Sequence, residues 1–123
     1  MRNVSAAVLS VLLFAAIASA GLKVVGQGEN RRFDPSDFPP DVQEKYAMAE
    51  VKCANTSANC HAFGRTVDAV MSGIGPISKQ PFDKEAAKAY GVKMMRKPDS
   101  GMNKKETKAV VELLYYLLDH AKK

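Results

Sequence analysis

From Asp41 onward the chain repeats apolar side chains at the spacing of an α-helix. Val42, Tyr46, Met48 and Ala49 recur every three to four residues. Pro39-Pro40 precedes them, where a first helical turn tolerates a missing N–H, and Asp41 and Glu44 lie where the helix dipole favours acids. This predicts a helix over 40–52, ending beside Cys53. Between Ala54 and Pro81 the pattern lapses. Val67, Val70 and Met71 predict one short helical turn after Arg65, broken by Gly73-Ile74-Gly75-Pro76. A second amphipathic helix is predicted from Pro81, with Phe82, Ala86, Ala89 and Tyr90 repeating toward Met94 and Met95. Gly91 weakens its middle, and Lys97-Pro98 ends it, because a residue before proline is disfavoured in helical dihedrals. Asp99-Ser100-Gly101 reads as a turn, and Asn103 with Glu106 as a capping box. The broadest stripe comes last: Ala109, Val110, Leu113, Leu114, Leu117 and Leu118 predict a helix over 104–122. No strand pattern of comparable length appears. The predicted class is all-α, with three to four helices in one domain over 39–123.

The first residues differ in kind. A short basic start, Met1-Arg2-Asn3, leads into an apolar run from Val4 to Ala18, closed by Ala18-Ser19-Ala20. That order predicts a secretory signal over 1–20, cleaved before Gly21. As a membrane anchor the run falls short of the roughly 20 apolar residues a spanning helix needs. The expected product is exported, periplasmic or extracellular, with no membrane span. Residues 21–38 are rich in Gly, Arg and Asp and are expected as an extended lead-in, tacked onto the body by Phe33 and Phe38.

Export changes how the two cysteines read. Cys53 and Cys60 would ordinarily pair as a disulfide in an oxidising compartment, contributing about 2 kcal/mol for so short a loop. That pairing gives no reason for His61 to follow at once. Two thiols with an adjacent imidazole are how a c-type haem is held, the sulfurs bonded to the porphyrin edge and the His to the iron. The spacer is six residues here instead of two. Each residue spans up to about 3.3 Å, so reach is no obstacle, and the longer loop costs roughly 1 kcal/mol more to close.

Iron held this way commonly takes a Met thioether on its other side. Met94 and Met95 lie just before the predicted helix end, about 100° apart around its axis, so one of the two faces inward. Met48, Met71 and Met102 are weaker candidates. The same donors, Cys53, Cys60, His61 and a Met, also suit a soft copper site. A third reading keeps only the disulfide and makes the chain a small helical interaction domain. His120 is read as a surface residue near a helix C-terminus. Of the adjacent Tyr115 and Tyr116, one is expected to face inward and the other solvent.

Residues from Tyr46 to Tyr116 resemble the small bacterial monohaem c-type cytochromes. The resemblance rests on Lys52-Cys53, on Cys60-His61, on Met94-Met95-Arg96-Lys97-Pro98-Asp99-Ser100-Gly101, and on the final helix through Tyr115-Tyr116. It implies a cytochrome c-like fold around one covalent haem c, with first and last helices packed together. It implies thioether bonds at Cys53 and Cys60, His61 as proximal iron ligand, and Met94 as distal ligand with Met95 the alternative. The implied role is one-electron transfer between redox protein partners, without enzymatic chemistry.

Charge adds one constraint. The 18 Lys and Arg exceed the 13 Asp and Glu by five, and residues 1–20 hold only Arg2 among them. The excess is too dispersed for a nucleic-acid surface. It suits a cationic face toward an acidic partner, or the offsetting of haem propionates.

Overall fold

The computed structural model describes residues 21–53, 63–97 and 100–121. The expected signal over 1–20, Cys60 and His61 in 54–62, and Pro98-Asp99 lie outside the described residues. The described residues form four α-helices and one short hairpin: α1 Pro40–Cys53, α2 Gly64–Ser72, α3 Lys84–Arg96 and α4 Lys104–Ala121. The hairpin pairs β1 Val24–Val25 antiparallel with β2 Arg32–Phe33, Val24 facing Phe33. The all-α class is what the helical periodicities predicted.

The amphipathic stripe of α4 makes it the centre of the molecule. Val110, Leu113, Leu114, Leu117 and Leu118 are all buried, while Ala109 is half-exposed. α1, α2 and α3 all pack against α4, α3 most extensively. The start of α4 is a reciprocal capping box: the Glu106 N–H donates to Asn103 Oδ1 at 2.8 Å, and the Asn103 N–H to Glu106 Oε2 at 3.0 Å. α1 turns Val42, Tyr46 and Ala49 inward, and Lys45 reaches Glu112 of α4 at 2.9 Å.

Two elements differ from expectation. The turn after Arg65 is a nine-residue helix, closed by Gly73 in the left-handed conformation with its N–H donating to Ala69 O at 3.0 Å. Val67 and Val70 are buried on it and Met71 is exposed. α3 begins at Lys84 and not at Pro81, because Pro81 is engaged in an antiparallel bridge with Ile74. Asp83 then caps the helix, accepting the Ala86 N–H at 2.9 Å. Ala86, Tyr90 and Met94 pack half-buried against the core and Ala89 is exposed, while the buried positions are Ala87 and Gly91. Both are small. A Cβ on Gly91 would collide with Val111 Cγ2, so the absence of a side chain there lets α3 and α4 close together.

The segment expected as an extended lead-in is folded into the core. Phe33 is fully buried and Phe38 nearly so. The Phe33 N–H donates to the Tyr46 hydroxyl at 2.8 Å, and burial pushes the Tyr46 phenol up from its ordinary pKa. Phe63 meets Tyr46 and Phe33 edge-on, with ring centroids 5.5 and 6.4 Å away. The lead-in thus joins the end of α1 to the start of α2, on both sides of residues 54–62. No helix among the described residues is long and apolar enough to cross a membrane.

Candidate functional site

Because α1 and α3 both pack on α4, the space between them becomes a cleft with α4 as its floor. Ala49, Lys52 and Cys53 come from the last turns of α1, and Tyr90, Lys93 and Met94 from the last turns of α3. Val110, Leu113 and Leu114 form the floor. Phe63 and the loop Gly75-Pro76-Ile77 close a further side. The loop is held by backbone bonds from Gly75 N–H to Gln80 O at 2.8 Å and from Phe82 N–H to Gly73 O at 2.8 Å. The cleft measures about 260 Å³, just under the roughly 300–1,000 Å³ of pockets that enclose a small molecule. A flat group larger than this would protrude from it or part its walls.

The lining is mostly apolar and carries sulfur on two sides. Cys53, half-buried, ends α1 on one wall, and Met94, half-buried, lies in the last full turn of α3 on another. Met95 is also half-buried but does not line the cleft, as the helical step between neighbours requires. A third sulfur, Met102, lines the cleft from the turn before α4. From its place in the sequence it is a weaker candidate than Met94 or Met95, and only the tertiary fold brings it there. Met48 is half-buried against the core and Met71 is 42% exposed, away from the cleft.

Among the described residues the charged ones on the lining are Lys52, Arg65, Lys93 and Lys97, with no Asp or Glu among them. The apolar space therefore has a cationic rim, suited to an anionic group whose body is apolar. Lys52 is half-buried, its amine 3.1 Å from Gly101 O and 3.6 Å from Glu106 Oε1.

Cys60 and His61 lie outside the described residues, yet the chain that carries them leaves from Cys53 and returns at Phe63, both on the cleft wall. Among the described residues no group of three or more His, Cys, Asp or Glu stands ready to hold a metal ion. His120 is exposed and stacked on Tyr116 at 4.0 Å, its Nδ1 2.8 Å from Tyr116 O, far along α4 from the cleft floor. Tyr115 and Tyr116 are both half-buried, in place of the expected one-in, one-out arrangement. Phe38 covers Tyr116, and the Lys84 amine lies over the Tyr115 ring.

No protein-family model, curated protein or solved structure matches this chain.

Proposed function

We propose that the chain is an exported monohaem c-type cytochrome that passes single electrons between redox protein partners. The observation that carries this reading is the meeting of Cys53 and Met94, distant in sequence, on two walls of one apolar cleft. Haem bound there would supply an iron that alternates between ferric and ferrous states. Cys53 and Cys60 would bind it covalently, and His61 and Met94 would ligate its iron. Val110, Leu113 and Leu114 would exclude water from the macrocycle, which favours the less charged, reduced form. Arg65, Lys93 and Lys97 at the rim would offset the propionates.

The test is chemical. Full-length protein made with a cytochrome maturation system is expected to carry one haem in its denatured intact mass and to give a sharp reduced α-band. A chain mass without haem overturns the reading. Under it, the two cysteines remain untitratable as thiols after reduction; recovery of two thiols would favour the disulfide-bonded interaction domain instead.

The presence of Met102 beside Cys53 and Met94 in the cleft favours one second reading, a soft copper site built from these sulfurs with Cys60 and His61. Copper at one per chain, with no haem, would select it.

A further inference from the structure

We propose that Lys52 is a positioning residue that latches the two sulfur-bearing sides of the cleft together, and so sets how firmly Met94 is held against the bound group. The proposal rests on the haem reading. Lys52 immediately precedes Cys53, so its backbone belongs to the cysteine wall. Its amine crosses to the opposite side, donating to Gly101 O at 3.1 Å and pairing with Glu106 Oε1 at 3.6 Å. The other Glu106 oxygen accepts the Asn103 N–H at 3.0 Å. One carboxylate thus fixes the start of α4 and receives the cation from α1.

The chain between Met94 and that carboxylate is held by a series of local hydrogen bonds. The Lys97 N–H donates to Met94 O and the Ser100 N–H to Lys97 O, both at 3.2 Å. Ser100 Oγ donates to Met95 O at 3.4 Å and accepts the Met102 N–H at 3.3 Å. Gly101 follows in the left-handed region at φ 64°, with open space where a side chain would be. Local bonds therefore join the turn to the end of α3, and the Lys52 amine ties it to α1. A single partly exposed pair of this kind adds little to global stability. The expected effect is local: without the latch the 100–103 turn opens more often, and the last turn of α3 with it.

The experiment compares wild type, Lys52→Met, Glu106→Gln and the conservative Lys52→Arg, with Lys84→Met as a control that breaks the exposed Lys84–Asp119 pair at 2.9 Å. Amide exchange at Lys97, Met102 and Asn103 is expected to rise about tenfold in Lys52→Met and to stay unchanged in the control. In haem-loaded protein, imidazole should displace the Met ligand at several-fold lower concentration in Lys52→Met and Glu106→Gln, while Lys52→Arg restores wild-type behaviour. Unchanged exchange in Lys52→Met overturns the latch. Raised exchange with unaltered imidazole displacement overturns its positioning role. Absence of covalent haem from wild type overturns the haem reading instead, and the exchange comparison, run on that same protein, still decides the latch.

Discussion

Met94 and Met95 are separated by one helical step, and that step sends Met94 to the cleft and Met95 away from it. On the proposed reading, Met94→Ala removes the sulfur-to-iron absorption band and lowers the potential, because the thioether favours reduced iron, while Met95→Ala leaves both intact. Equal spectra for the two variants would argue against Met94 as a ligand. A different single atom matters to stability: the Tyr46 hydroxyl accepts the buried Phe33 N–H. Tyr46→Phe orphans that donor and is expected to cost about 1–3 kcal/mol in denaturant unfolding. Burial raises the Tyr46 pKa in the folded state, so its neutral form contributes fully below the unfolded-state value near pH 10. That contribution is lost as pH rises beyond it toward the folded-state value. The stability gap between wild type and Tyr46→Phe should therefore be constant through neutral pH and narrow in strong alkali; a gap that changes between pH 6 and 8 would contradict this.

Among the elements, α3 and α4 depend on small residues where they cross. Gly91 is buried, and an added Cβ there meets Val111, a β-branched side chain with little freedom at χ1. Overpacking of this kind costs about 1–3 kcal/mol, whereas alanine is favoured over glycine in a helix interior by about 1 kcal/mol. In the wild-type background Gly91→Ala is expected to destabilise, and in a Val111→Ala background the same change should become neutral or stabilising. Additive effects in that double-mutant cycle would show that the two side chains do not compete for one space. The crossing reaches function through position: Met94 follows Gly91 by less than one turn, so the depth at which α3 seats on α4 also fixes how far Met94 projects over Leu113 and Leu114.

At the scale of the whole molecule, the lead-in braces Phe63, which lines the cleft. Phe33 bonds to Tyr46 through its backbone N–H and packs edge-on against Phe63, and Gly64 at the start of α2 lies so close to the Gly28 and Glu29 carbonyls that a Cβ would stand 2.9 and 2.8 Å from them. Arg31 ties the same turn to α2, 2.7 Å from Asp68. Phe33→Ala is expected to cost about 3–5 kcal/mol, with a lowered melting temperature; a loss under 1 kcal/mol would mean that the hairpin only rests on the surface. The α4 stripe, the Asn103–Glu106 capping box and the inward face of α1 were all legible in the sequence, because they depend on near neighbours at a fixed helical period. The start of α3 was not legible, since Pro81 finds its partner in Ile74 across a loop; of its predicted face Phe82, Ala86 and Tyr90 do pack on the core, but the burial of Ala87 and Gly91 in place of Ala89 was not legible, because alanine and glycine carry almost no hydrophobic signal. The sequence by itself determined a helical chain with sulfur and imidazole donors in a particular order. Only the tertiary structure decided that Cys53, Met94 and Met102 share one apolar, cation-rimmed cleft, because that depends on where three helices meet, and no local spacing encodes it.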